Sequence, residues 1–353
     1  GLSTYASGFV SFVLLVFASW CVGEGGEILG EHYDASIIGG LVIAWLNTAP
    51  ETIFFVTALN SGNPRFAVGA VSGSSIVVCT VALGACLWIG STSRKSGAIL
   101  LQPAVKNQCL ILGASCVITL ITSMLGFNLF CGVAGISFYL WFLFFSLTRK
   151  DPSSDIDYSN QKDEEIAAEV EVEEHKEPIW KGASFLLLGG LLIFTFSTPF
   201  INAVVDTAKV LEVNPILLAF FLAPIASEAP EILESISLSR KGNPQSINIA
   251  YSNLVGGTIT KTTLLCGIFA LFGHYKQFEW ESPSYTVCLV LLVIAAATAS
   301  GIGFLFQYQN KWHGVLLFIV FAVTGAIQYA VNVQVDSEIS ITTDNGLNTT
   351  MLS

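Results

Sequence analysis

The stretch NTAPETIFFVTALNSGNPRFAVGAVS, residues 47–72, recurs as SEAPEILESISLSRKGNPQSINIAYS, residues 227–252, at a constant offset of 180 and without a gap. Ala49/Ala229, Pro50/Pro230, Glu51/Glu231, Gly62/Gly242, Asn63/Asn243, Pro64/Pro244, Ala70/Ala250 and Ser72/Ser252 coincide. Matched Ala and Ser arise readily in a chain of biased composition. The shared triplets APE and GNP do not, and they mark a duplicated architectural unit.

Outward from these copies the chain is apolar. Over 353 residues it is 53% hydrophobic and only 12% charged, with a mean hydropathy of +0.67. A soluble domain carries about 25% charged residues, so this chain cannot coat a water-facing surface, and cytosolic enzymes are excluded. The expected fold is an all-α polytopic membrane protein. At 1.5 Å per residue, about 20 apolar residues cross the hydrocarbon. On that ruler ten spans are predicted, near 5–29, 36–60, 66–91, 102–124, 128–148, 180–204, 215–239, 246–273, 284–308 and 312–334. The first lacks a preceding basic segment, so it reads as a spanning helix rather than a signal peptide. The chain starts at Gly1 without Met, and an upstream segment is expected.

The net charge of −11 is concentrated in one segment: residues 151–178 hold eleven Asp or Glu against two Lys. No basic surface suited to nucleic acid remains. The organisation is therefore a first five-helix unit (1–148), an acidic loop (149–179), a second five-helix unit (180–335) and a tail (336–353), the duplicated regions lying near 36–91 and 215–273. The loop is expected to bind cations or regulatory partners. Sorted by alternate loops, eleven Lys or Arg fall on one side and three, Arg65, Lys209 and Lys276, on the other. Positive charge accumulates on the cytoplasmic side, which predicts a cytoplasmic acidic loop and both termini on the opposite face. The sequon at Asn348 lies on that opposite face. Five spans separate the copies, so the second enters the membrane inverted, an arrangement that places binding sites near the bilayer midplane.

Pro50 and Pro230 fall within spans, where proline removes a helical hydrogen bond and clashes with the preceding turn. Glu51 and Glu231 follow directly. A carboxylate at that depth costs at least about 2.5–3.5 kcal/mol, so it needs compensation. Two carboxylates, released carbonyls and the side-chain oxygens of Asn47, Thr48 and Ser227 make a hard-cation shell, and calcium accepts 6–8 such oxygens in irregular geometry. Glu228 lies on the same face as Glu231 one turn earlier. Lys261, the single Lys or Arg inside a span, calls for a carboxylate partner, with Glu228 or Glu231 the nearest choices. Ser72, Ser75, Asn253 and Thr258 offer further oxygens from small-residue patches that also suit close helix packing. The eight Cys are isolated in apolar stretches and read as buried thiols.

At these motifs the chain resembles the calcium/cation antiporter superfamily, whose repeats carry a GTS-x-PE turn and a GN-x-x-GS stretch. The corresponding segments here are WLNTAPE with GAVSGSS and IASEAPE with IAYSNLV. The resemblance implies that Glu51 and Glu231 are calcium-binding glutamates and that Asn47, Thr48 and Ser227 supply oxygens to the ions. Glu228 stands where a hydroxyl is usual, as in a bacterial branch written T-E-L-P-E. Sodium-coupled members carry a polar residue twenty-seven positions after each glutamate, here Val78 and Thr258. The implied activity is non-enzymatic: secondary antiport of Ca2+ or a similar divalent cation against H+ or Na+ across a bilayer, without an organic cofactor. The alternative is a transport-inactive repeat protein serving as scaffold or regulator.

Overall fold

The computed structural model describes residues 2–30, 48, 51–53, 55–94, 96–148 and 178–350. The acidic segment 151–177 lies outside them, as do Asn47, Ala49 and Pro50. The helices are α1 (Leu2–Gly30), α2 (Pro64–Ile76), α3 (Leu83–Thr92), α4 (Pro103–Leu125), α5 (Leu129–Thr148), α6 (Ile179–Val210), α7 (Pro215–Arg240), α8 (Pro244–Thr260), α9 (Cys266–Lys276), α10 (Ser284–Leu305) and α11 (Lys311–Thr350). A π-helical segment, Val77–Ala82, joins α2 to α3, and another, Lys261–Leu265, joins α8 to α9. Residues 51–53 and 55–60 are also helical.

Among the described residues, seven helices are long and apolar enough to cross a bilayer, or eight when α7 counts as one bent span. Of the ten predicted spans, the first appears as α1, whose apolar part is Ala6–Val22. The second, 36–60, falls largely outside the described residues. The all-α expectation needs one addition: Ala98–Leu100 and Tyr308–Asn310 form two short antiparallel strands, Ala98 facing Asn310. Three-residue strands in loops carry no periodicity from which they could be anticipated. The break expected at Pro230 takes the form of a 54° bend between Ala229 and Glu231 within α7, the kink that proline introduces into a helix.

Local sequence explains the helix starts. Proline occupies the first turn of α2, α4 and α7, where its missing N–H costs nothing. The Asn214 side chain also caps α7 by accepting from the Ile216 amide at 3.1 Å. Before α2 and α8 the GNP triplet builds one turn twice. Gly62 and Gly242 have φ of +73° and +68°, a region glycine enters without steric penalty. Their amides donate to Leu59 and Ser239, and those of Ala67 and Ile247 to Asn63 and Asn243. The partners in these two pairs of bonds are offset by 180 from one copy to the other.

The packing is reciprocal as well. α5 lies against α9 and its π segment, α11 lies against α3 and its π segment, α4 packs on α10, and α1 on α6. α3 meets α11, and α9 meets α5, through glycine backbones. A Cβ on Gly314 would lie 2.5 Å from the Gly84 carbonyl oxygen, and one on Gly135 would lie 2.9 Å from Gly267 Cα. The loops also separate into two ends. At one, the β pair joins 98–100 to 308–310, and Gly242 lies beside the Ser93 carbonyl. At the other, Arg65 pairs with Glu281 at 2.6 Å, and Phe127 packs edge-on against Trp280.

The rods Pro64–Thr92 and Ser246–Lys276 are the core, with 89% and 83% of their apolar windows buried, against 28% for Ile179–Val210 and 22% for Lys311–Asn332. The outer helices present Phe130, Leu187, Phe194 and Ile319 outward, an apolar surface suited to lipid. All eight cysteines are free and buried, as their isolation in sequence led us to expect.

Close approach of α2 and α7 depends on two glycines one turn apart. A Cβ on Gly69 would stand 2.5 Å from the Ile216 carbonyl oxygen, and one on Gly73 only 2.2 Å from that of Phe220. Both obstacles are backbone, so the helices would have to separate. We expect Gly73→Ala to destabilise the protein by about 1–3 kcal/mol, the usual cost of overpacking. Gly190→Ala, which meets open space, should leave the protein as stable as before or slightly more so. Thermal unfolding in detergent compares the two.

Candidate functional site

Four ionisable side chains meet in the interior, and all are at most 7% exposed: Glu51, Glu228, Glu231 and Lys261. Lys261 opens the π segment between α8 and α9. Its Nζ lies 2.8 Å from Glu51 Oε1, 2.8 Å from Glu228 Oε2 and 3.9 Å from Glu231 Oε2. The sequence asked for one carboxylate partner from α7; the structure supplies two partners from α7 and one from the first repeat. Lys261 is 1% exposed, so it does not snorkel to water.

The π segment is what aims the ammonium. A π turn adds a residue to the helix and shifts the phase of the next turns, and such turns concentrate at functional sites. This one is braced from α4, where Thr119 donates to the Thr262 carbonyl at 2.8 Å and the Ser115 and Thr262 hydroxyls meet at 2.8 Å. Neither brace was anticipated, since a hydroxyl in an apolar run gives no sign of its partner.

The carboxylates are not equivalently engaged. Glu228 uses both oxygens, Oε2 accepting from Lys261 at 2.8 Å and Oε1 from the Ser227 hydroxyl at 3.0 Å. By contrast, among the described residues neither Glu51 oxygen accepts a hydrogen bond, Oε1 meeting the ammonium as an ion pair only, and Glu231 Oε1 and Asn253 Oδ1 are likewise buried without one. Glu231 Oε1 rests against Gly257, where a Cβ would come within 3.1 Å. Ser74 lies beside the Glu51 carboxyl. Gly257 and Ser74 were legible only as members of small-residue patches, not as neighbours of the acids.

The remaining expected residues divide. Thr48 is buried and its carbonyl accepts from Thr52 at 2.9 Å, while Asn47 lies outside the described residues. Ser72, Ser75 and Thr258 are buried and donate to the Val68, Val71 and Leu254 carbonyls of their own helices, which leaves hydroxyl lone pairs to accept. Ser72 also lies beside Cys288. Val78, the apolar counterpart of Thr258, is fully buried. Among the described residues no group of three or more His, Cys, Asp or Glu is arranged as a ready metal cage. The acids converge on an ammonium instead.

A family model described as "Sodium/calcium exchanger protein" matches residues 4–148 and 181–330. The chain belongs to this family. The two matched blocks lie on either side of the acidic segment 151–178. Among relatives, it is 22% identical over 126 residues to Sodium/calcium exchanger NCL1 of Oryza sativa subsp. japonica. It is also 22% identical over 148 residues to Sodium/calcium exchanger NCL of Arabidopsis thaliana. These matches take in 35% and 41% of this chain but only 22% and 24% of those proteins. The chain is similar in fold to the H+/Ca2+ exchanger CAX, with a TM-score of 0.72 at 16% identity, covering 97% of this chain and 88% of that one. It is similar also to the sodium-calcium exchanger NCX_Mj, with a TM-score of 0.61 at 16% identity, covering 92% and 98%.

Buried ions are worth more as a set than singly. Removing one partner from a buried pair costs about 3–5 kcal/mol because the remaining charge is left in low dielectric. Lys261→Met is expected to lose at least that much, with three carboxylates left uncompensated. Lys261→Met/Glu228→Gln should recover a substantial part, and thermal unfolding of both variants reads the difference.

Proposed function

We propose that this protein is a secondary active antiporter that moves Ca2+, or a divalent cation of similar hardness, across a membrane in exchange for H+ or Na+ by alternating access. The observation that carries this reading is the convergence of Glu51 and Glu231, one from each repeat, on a single buried point within 4 Å of Lys261 Nζ. Acids buried in a membrane interior are costly and mark ion pathways. Glu51 Oε2, Glu231 Oε1 and Asn253 Oδ1 lack hydrogen-bond partners among the described residues and are the hard oxygens a divalent ion takes. Asn47, Thr48 and Ser227, with Ser72, Ser75 and Thr258, would complete or line that shell.

The architecture proposed is ten spans in two inverted repeats of five. It is supported by the twice-built GNP turn, the reciprocal helix contacts and the separation of the loops into two ends. Transport then comes from one group of helices rocking against the other around the acids. The short waists at Gly69 and Gly73, where helices touch through backbone, are natural pivots for such rigid-body motion. The positive-inside rule puts the 98–100/308–310 end and the acidic loop in the cytoplasm and both termini outside. With native thiols buried, an impermeant maleimide tests the orientation. Ser96→Cys and Lys241→Cys should react from the cytoplasmic face, and Glu212→Cys and Lys276→Cys from the opposite face.

Transport is tested by Ca2+ uptake into proteoliposomes under an imposed proton or sodium gradient. Uptake should follow one of the two gradients, and Glu51→Gln and Glu231→Gln should each reduce it to the level of protein-free vesicles. The alternative, an inactive scaffold, draws on the ammonium already seated among the acids. Absence of flux with any divalent ion under either gradient would establish it and end the transporter reading.

A further inference from the structure

The partners of Lys261 split the cluster into two parts of different charge. Glu228 has both oxygens occupied, one by the ammonium at 2.8 Å and one by Ser227 at 3.0 Å. Glu51 and Glu231 each turn one oxygen toward the ammonium and keep the other without a hydrogen bond among the described residues. We propose that the Lys261 ammonium occupies, on a covalent tether, the seat of a monovalent cation. Glu228 and Lys261 then form a fixed neutral pair, and Glu51 with Glu231 retain two negative charges for one divalent ion.

Three observations carry the monovalent seat. The 2.8 Å contact to Glu228 is a charge-assisted hydrogen bond, Glu51 Oε1 stands at the same distance as an ion pair, and an ion of that size fits the same oxygens. The oxygens come from both repeats, so the ammonium stands at the meeting point rather than in a private pair on one helix. At 1% exposure Lys261 has no alternative route to water, and its origin in the braced π segment holds the head group in place. The neutral pair accounts for an otherwise surplus acid: three carboxylates around one divalent ion would leave a negative charge uncompensated in low dielectric. The part concerning the divalent ion rests on the reading under Proposed function, whereas the monovalent seat stands on the geometry alone.

The test uses the purified full chain in detergent, with Lys261→Ala to empty the seat and ammonium or potassium against choline to refill it. Ammonium or potassium should raise the unfolding temperature of Lys261→Ala. Either ion should also strengthen its equilibrium binding of radioactive Ca2+ by about tenfold, within the span of coupled ligands. The wild type should respond to neither ion. Lys261→Ala/Glu228→Gln, which restores the charge without a monovalent ion, should bind Ca2+ equally in choline and in ammonium. It carries the test if the single variant is too unstable to purify. Ammonium acting alike on wild type and Lys261→Ala, acting on neither, or being required by the double variant would overturn the proposal. A wild type that binds no Ca2+ would instead defeat the transporter reading, while the unfolding temperature of Lys261→Ala would still report whether the seat exists.

Discussion

The whole interior is organised around a charge that cannot be left alone. Three carboxylates and one ammonium sit where every one of them is nearly inaccessible to solvent, and the effective cost of removing an ion from water is several kcal/mol even after relaxation. No arrangement of apolar helices would tolerate these groups scattered. They must lie within ion-pair distance of one another, and this requirement fixes how the helix bearing Glu51, α7 and the π segment after α8 are placed. Glycine at 69, 73 and 257 is then a consequence. Without side chains at those points, helices and carboxylates approach closely enough for the charges to meet.

Much of this could be read in advance, because it depends on local chemistry. The GNP triplet fixes a turn by the φ of one glycine and a helix start by the ring of one proline, so the Gly62–Leu59 and Ala67–Asn63 bonds reappear 180 residues later as Gly242–Ser239 and Ile247–Asn243. The membrane character comes from a shortage of charge, and the need for a partner at Lys261 comes from burial. Glu228 was legible as that partner; Glu51 was not. Glu51 is over two hundred residues away in sequence, and only the phase change of the π turn aims Lys261 at it. The roles of Gly257 and Ser74 were hidden for the same reason, since a small residue looks alike whether it faces a helix or a carboxylate.

Two expectations changed in instructive ways. The break expected at Pro230 is a 54° bend within α7, so in a packed rod this proline redirects the helix axis. The β pair between 98–100 and 308–310 is a contact between loops, formed because the reciprocal packing of α3 with α11 brings their adjoining segments together. In both cases tertiary context decided what local propensity left open.

The unequal use of oxygens is the feature that separates a site from a salt bridge. An unpaired buried acceptor costs about 1–3 kcal/mol, so a carboxylate oxygen left open beside an ammonium calls for a partner. Here both oxygens of Glu228 have one, while Glu51 Oε2, Glu231 Oε1 and Asn253 Oδ1 do not among the described residues. The acid that stands where the family usually has a hydroxyl is the one that is satisfied, and it is satisfied by the lysine. The two acids that repeat across the 180-residue offset are the ones left with an open oxygen. Duplication therefore accounts for the pair with open oxygens, and the two charges without a counterpart in the first copy, Glu228 and Lys261, pair with each other beside it.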